Sequence, residues 1–337
     1  MMREKKYLLL LTPFFIWSYN AQASEIYANN ISAENINILT VEFMENAHHG
    51  DNILDSSKNS NIYGKMTRFD EYGDDGRTIK TKHSQNYNDT LVKDIWIDEK
   101  YLNNKYKFNH HLSQRIQNNI VSVGFDSLDF NVIYGDISFG AYFSYINSDT
   151  KIFDNNGQSV GLFTKYKYKD FTVTGMINNG TTTNDFDNNK DDFNNAWFNA
   201  AIDASLKLRF QSTLYLQPEI YFGYTYVKPD DKIHINEDYI SAKNSRFWNI
   251  APSVKIVSRI TDNLSGALFF KYVDINSKNN DIVFQNIKYP TVNIDQYDEI
   301  GLSARYNYNK LMFDVVLKKT FGNIDGFGGN LNIKYLF

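Results

Sequence analysis

The stretch "GQSVG", Gly157 to Gly161, sets Ser159 between two glycines at the spacing of a serine nucleophile. Such a serine needs a strand, a sharp turn and then a helix, so that its Oγ stands exposed above a sheet. Here Ser159 runs on into further alternating residues. None of the six histidines, at 48, 49, 83, 110, 111 and 234, falls in a predicted strand. Without a base nearby the hydroxyl is not activated. "DFDNNKDDF" spaces Asp185, Asp187, Asn189 and Asp191 at alternate positions, as calcium loops do. Lys190 stands where such a loop needs glycine, and no glutamate closes it. The stretch reads as a solvated acidic loop. His48-His49 and His110-His111 are adjacent pairs, and adjacent histidines on a helix or strand rarely share one metal ion. No catalytic residue, metal or cofactor is expected, and the chain reads as non-enzymatic.

A basic set remains. Lys165, Lys167, Lys207, Arg209, Lys255, Arg259, Lys271, Arg305, Lys318 and Lys334 all occupy the polar positions of alternating stretches. Asp126, Asp203, Glu219 and Asp314 occupy such positions too. The elements that carry them must therefore be strands with one wet and one greasy side. In "AWFNAAIDASLKLRF", Phe198, Ile202, Leu206 and Phe210 alternate with Asn199, Asp203, Lys207 and Arg209. In "TLYLQPEIYFGYTYV", Leu214, Leu216, Pro218, Ile220, Phe222, Tyr224 and Tyr226 oppose Gln217, Glu219, Tyr221 and Thr225. The chain closes on "GGNLNIKYLF". There Phe327, Leu331, Ile333, Tyr335 and Phe337 share one face, and Asn330, Asn332, Lys334 and Leu336 share the other.

The solvent of the greasy side follows from the rest of the chain. "MMREKKYLLLLTPFFIWSYNAQAS" has a basic start, a short apolar run and a small-x-small site at Ala21-Gln22-Ala23. This predicts a signal peptide over 1–23, cleaved near Ala23-Ser24. Removing Arg3, Lys5, Lys6 and Glu4 takes Lys+Arg from 35 to 32 and Asp+Glu from 39 to 38, so the net charge moves from -4 to -6. That is no footprint for nucleic acid. An exported chain with 0 Cys has no disulfide to staple it. After the signal, no apolar run is long enough for a spanning helix. Yet the chain holds 25 Phe and 24 Tyr. Low hydropathy with many aromatics fits strands that face lipid on one side and water on the other.

Twelve strands are predicted, near 61–70, 118–133, 137–147, 158–168, 171–179, 195–210, 213–227, 246–260, 264–273, 298–309, 311–321 and 327–337. Many exceed the five or six residues of an ordinary strand and suit a tilted crossing of about 9–11. Short connections at 134–136, 169–170, 211–212, 261–263 and 309–310 alternate with long ones at 71–115, 148–157, 180–193, 228–245 and 274–297. Short turns on one rim and long loops on the other are the pattern of an outer-membrane barrel. The expected fold is all-β, a twelve-stranded antiparallel transmembrane barrel. The ten basic side chains then face its lumen, because Lys or Arg facing lipid costs about 2–4 kcal/mol at the midplane.

Residues 59–337 resemble the autotransporter β-domain, the translocator of type V secretion. The resemblance is carried by "NSNIYGKMTRF", "IVSVGFDSL", "SVGLFTKYKYKDFTVTGMINNG", "LYLQPEIYFGYTYV" with Pro218 and Glu219, and the closing "EIGLSARYNYNKLMFDVVLKKTFGNIDGFGGNLNIKYLF". The family threads a helix through the barrel ahead of strand 1. Here 24–58 takes that place, with Ser32 as a predicted cap, Gly50 as a stop, and Ile36, Leu39, Phe43 and Ala47 on one stripe. Glu34, Glu42 and Glu45 of that helix would meet lumen cations. The family's self-cleaving members carry Asn-Asn in this helix, whereas this helix offers Met44-Glu45-Asn46-Ala47, so no autoproteolysis is expected. The terminal Phe337, with Tyr335 and Ile333, resembles the signature read by the barrel-assembly machinery. The resemblance implies a monomeric translocator in the outer membrane of a Gram-negative bacterium, in contact with its lipid, with almost no passenger. A diffusion pore and an adhesin acting through its loops are the alternatives.

Overall fold

A computed structural model describes residues 92–337, apart from gaps at 110–111, 133, 150–152, 187–192, 231–232, 236–237, 243, 279–281, 285–286 and 290–295. The predicted signal peptide, the helix within 24–58 and the strand at 61–70 lie outside the described residues. Twelve long strands form the wall. They are β1 (Val92–Asn109), β2 (Leu112–Ser127), β3 (Gly135–Asp149), β4 (Phe153–Tyr168), β5 (Phe171–Phe186), β6 (Phe193–Leu206), β7 (Leu214–Pro229), β8 (Ser245–Arg259), β9 (Leu264–Lys278), β10 (Gln296–Tyr308), β11 (Leu311–Gly322) and β12 (Ile324–Leu336). Each pairs antiparallel with its sequence neighbours, and β12 pairs with β1, so the sheet closes on itself. Closure leaves no strand edge for lipid to meet, which a hydrocarbon solvent requires.

The register fixes the shape. Register partners lead from Leu264 through Tyr306, Phe313, Ile333, Ile97, Val123, Phe143, Val160, Asn179, Phe198, Tyr226 and Arg246 to Lys278. One turn around the barrel therefore returns to β9 fourteen residues further on. With about 3.3 Å of rise and 4.8 Å between strands, that stagger tilts the strands by about 39°.

The apolar side chains of the wall point outward, where nothing among the described residues covers them. Ile300, Leu302, Val315, Leu317, Ile220 and Phe222 are all exposed, on the faces predicted for them. Aromatics mark both rims. Tyr306, Tyr308, Tyr335 and Phe337 lie near the short turns, while Tyr101, Phe321 and Phe327 lie toward the other end. Glu99 is an exception on β1. It is exposed between Ile97 and Tyr101 on the apolar face.

Two expectations are corrected. The strand that closes the barrel is β1, at Val92–Asn109, a stretch read above as part of a long connection at 71–115. The outward face of β1 offers only Ile95 and Ile97 before Glu99 interrupts it, so its apolar alternation is short. Nor are the loops of the far rim uniformly long. Strands β4 and β5 run on through Asn155, Asn156, Thr181 and Thr183, polar residues that keep their ladder bonds after leaving the membrane. The connections there shrink to 110–111, 150–152, 187–192 and the single residue Asn323. The two long connections pair with each other instead. Ile233–Ile235, Asp238–Ala242, Ile282–Phe284 and Ile287–Tyr289 form a separate four-stranded sheet at that rim.

Glycines let the inner wall close up. A Cβ at Gly124 would lie 2.3 Å from Cζ2 of Trp96, and one at Gly161 would lie 2.2 Å from Tyr142. Each aromatic ring lies flat over a neighbouring strand that has no side chain in its way. Trp96, Tyr142 and Phe163 follow one another along the inner wall in this fashion.

Candidate functional site

The inner wall is where charged groups gather, so the site is built from its alternate positions. β12 presents Asn330, Asn332 and Lys334 inward, all nearly inaccessible. The Nζ of Lys334 lies 2.8 Å from Oδ1 of Asp94 on β1 and 3.2 Å from Oδ2 of Asp126 on β2. The indole N–H of Trp96 donates to the other oxygen of Asp126 at 3.2 Å. One ammonium thus ties the last strand to the first two. Higher on the same seam, Nδ2 of Asn330 donates to Asp98 at 3.1 Å.

Arg305 on β10 makes a two-pronged pair with Asp314 on β11, and both are buried. Lys318 donates to Glu299 at 2.9 Å, and Lys255 lies 3.2 Å from Glu219. These two pairs line a small cavity of about 50 Å³ together with Lys100 and Lys271. Lys271 also lies over the ring of Tyr221, 5.7 Å from its centroid. The bore therefore holds a belt of paired charges.

Of the other residues of the basic set, Lys165 interacts electrostatically with Asp126, Lys334 and Asp94, and the rest lie toward the short-turn rim. Lys165 is on the inner face of β4 at the level of Ser138, and Lys167 is opposite Asp136 near the short turns. Lys207 lies 5.4 Å over the ring of Tyr215. Arg209 is exposed at the short-turn rim, where it pairs with Asp170 at 3.1 Å. Arg259 turns to Asp262 in the connection after β8. Two of the ten thus cap the rim instead of lining the bore.

Sequence reasoning missed Asp94, Asp98, Lys100 and Glu299. Three are on β1, and their signal was the alternation of Trp96, Asp98, Lys100, Leu102, Asn104 and Tyr106 with a weakly apolar outer face. With Arg209 and Arg259 at the rim and Lys100 added, nine of these cations face seven carboxylates in the bore, so the basic excess is smaller than expected. The inner wall is also less polar than expected, since Ile116, Ile120, Tyr142, Phe163, Trp197 and Phe247 pack there as one cluster.

The remaining motifs acquire ordinary roles. Gly157 to Gly161 lies wholly within β4, with no elbow, and Ser159 is buried opposite Ser144. Ser144 in turn shares a hydrogen bond of 2.8 Å with Ser122. Asp185 is the next-to-last residue of β5, and 187–192 lies outside the described residues. Residues 110–111 connect β1 to β2 and also lie outside them. Among the described residues, no group of three or more His, Asp or Glu side chains is arranged to hold a metal ion. At the C-terminus, the ring of Phe337 meets Tyr335 edge-on at 5.2 Å, and its N–H donates to the carbonyl of Lys93 at 3.1 Å.

A closed, tilted barrel of twelve strands with an apolar exterior and a charged bore is an outer-membrane β-barrel. Residues 103–233 match the family model described as "Autotransporter beta-domain". Three solved structures share the fold. The beta domain of the Bordetella autotransporter BrkA aligns with a TM-score of 0.62 and 9% identity, over 73% of this chain and 100% of that one. The transport unit of AIDA-I from Escherichia coli gives 0.60 and 13%, over 77% and 94%. The translocator domain of NalP from Neisseria meningitidis gives 0.54 and 10%, over 75% and 90%. No curated protein gives a significant sequence match. The chain thus has the fold of an outer-membrane β-barrel, and over residues 103–233 it is similar to autotransporter β-domains.

Proposed function

We propose that this barrel is a non-enzymatic translocator whose bore is occupied by its own N-terminal segment. That segment is the chain between the signal cleavage near Ala23-Ser24 and Val92, including the predicted helix within 24–58. The carrying observation is the shielding of the inner wall. About eight strands give a bore that wall side chains can fill, and twelve give a wider one. Yet Asn118, Ser144 and Asn332 are 0% exposed, and Lys334 is 1%. Phe337, Tyr335 and Ile333 serve as the signature by which the assembly machinery recognises the monomeric barrel.

Single-channel conductance tests this reading. The mature chain should be nearly silent in a planar bilayer, and variants lacking 24–57 or 24–91 should open large, steady currents. A full-length protein that already conducts like an open pore would favour a diffusion channel instead.

A further inference from the structure

We infer that the inner-wall amides of Asn178, Asn199, Gln217 and Asn332 bind the main chain of residues 71–91 and hold that stretch within the bore. This rests on the plug reading, and it names the part of the N-terminal segment that the wall grips and the chemistry of the grip. Asn178 and Asn199 are direct register partners in the middle of β5 and β6. Each is 2% exposed, yet neither the nitrogen nor the oxygen of either amide makes a hydrogen bond among the described residues. Gln217 on β7 and Asn332 on β12 are fully buried and repeat the pattern. Elsewhere the inner wall pairs its own polar groups. Asn330 donates to Asp98, Asn155 donates to Asn184 at 2.8 Å, and Ser122 shares a bond with Ser144.

Buried polar groups without a partner are costly, so these four amides select what lies against them. They carry no charge, and the bore's belt already pairs Lys318 with Glu299 and Lys255 with Glu219. A carboxamide presents a donor and an acceptor, as a peptide unit presents one N–H and one C=O. A helix spends its main-chain groups internally and leaves little for such amides. Residues 71–91 are the better match. They include Gly73 and Gly76, and their apolar residues Tyr72, Ile79, Tyr87 and Leu91 are too sparse for a helical stripe. Their place in the chain also fits. Val92 starts β1 at the short-turn rim, where the N–H of Phe337 donates to the carbonyl of Lys93. Extended chain covers about 3.3 Å per residue, so 71–91 reaches about 70 Å, against roughly 40 Å of tilted wall. Gln217 and Asn332 lie low on their strands, so a chain rising from that mouth passes this pair before Asn178 and Asn199.

The test is hydrogen–deuterium exchange, read by mass spectrometry on the full mature chain folded in detergent. Main-chain amides within 71–91 should exchange slowly. A hydrogen bond contributes about a two- to tenfold factor, so Asn178→Leu with Asn199→Leu should speed exchange across 71–91 roughly tenfold. Gln217→Leu with Asn332→Leu should act in the same direction. Asn179→Leu is the control, because Asn179 is exposed on the outer face between the two residues' strands, and it should leave exchange as in the parent. Free exchange of 71–91 in the parent overturns the proposal, as does protection that neither double variant weakens. Should a variant give no heat-modifiable folded band, the parent's exchange still decides. A full-length chain that conducts like an open pore overturns the plug reading and this proposal with it. A silent chain whose residues 71–91 exchange freely overturns this proposal alone.

Discussion

Lys334, three residues from the end of the chain, places its ammonium 2.8 Å from the carboxylate of Asp94, in the strand that starts the barrel. Both side chains are 1% exposed. The pair joins the two strands that no turn connects. Ladder bonds zip the seam, and this contact locks it from inside together with Asp126. Removing one partner of a buried pair leaves a charge uncompensated, at a cost of about 3–5 kcal/mol. Lys334→Met strands two carboxylates, so it should lower the temperature at which the folded band converts to the unfolded one on an unboiled gel. The double variant with Asp94→Asn should recover part of the loss. Equal melting of Lys334→Met and the parent would show that the seam does not depend on this contact.

Gly124 lies under Trp96, with no room for a side chain. Gly124→Val should therefore cost about 1–3 kcal/mol through overpacking. It should also leave a larger unfolded fraction after refolding into detergent. Adding Trp96→Leu should relieve the clash and restore folding toward the Trp96→Leu level. If Gly124→Val folds as well with Trp96 present as without it, the close fit is irrelevant.

Leu302 and Arg305 share one strand on opposite faces. Leu302 is 60% exposed to the outside, and Arg305 is buried inside against Asp314. An arginine is thus tolerated on the inner face because a carboxylate meets it. Leu302→Arg should cost about 2–4 kcal/mol, because hydrocarbon offers the charge nothing. Denaturant titration in lipid vesicles measures it. A loss within the error of the parent would mean that Leu302 meets water.

Asp325 lies two residues beyond Phe327, above the apolar band and outside the spanning part of the wall. A hydrogen bond from Lys319, aided by the charges of Lys319 and Lys107, holds its carboxyl below the ordinary 3.8. A carboxylate depressed in the folded state contributes stability above its unfolded value and loses it as pH falls through the folded one. The contribution should therefore be present at neutral pH and vanish only in strong acid. It is small, because the pair is exposed and screened. Asp325→Asn should abolish that part of the acid dependence and should melt like the parent in strong acid. A variant whose melting falls with acid just as the parent's does would assign the dependence to other carboxylates.

The sequence by itself determined the faces. Side-chain alternation is a local property with period two, so Leu302, Phe222, Ile333 and Arg305 could be assigned inward or outward without any knowledge of what they touch. It determined the short turns as well, since Lys169-Asp170 and Asn309-Lys310 are punctuated locally. In each of these turns the first residue, Lys169 or Asn309, has a positive φ. It also determined the final strand, where Phe327, Leu331, Ile333, Tyr335 and Phe337 share one exposed face interrupted only at Gly329.

Only the tertiary structure decided which strand closes the barrel. Asn330 bonds to Asp98 across 232 residues, and no local pattern can choose between two candidate partners so far away. Strand β1 meets lipid mainly through Ile95 and Ile97, so most of its evidence as a wall strand is its pairing with β12 and β2. The acids of the seam and of the bore's belt were hidden for the same reason. Asp94 and Asp98 are unremarkable polar residues until closure sets them beside Lys334 and Asn330. The pairing of the two long rim connections into one sheet was likewise out of reach, because hydrogen bonding between backbones leaves little mark on side-chain type. Local chemistry specified how each strand would present itself to lipid or to the bore. Contacts between distant strands specified where the cylinder shuts.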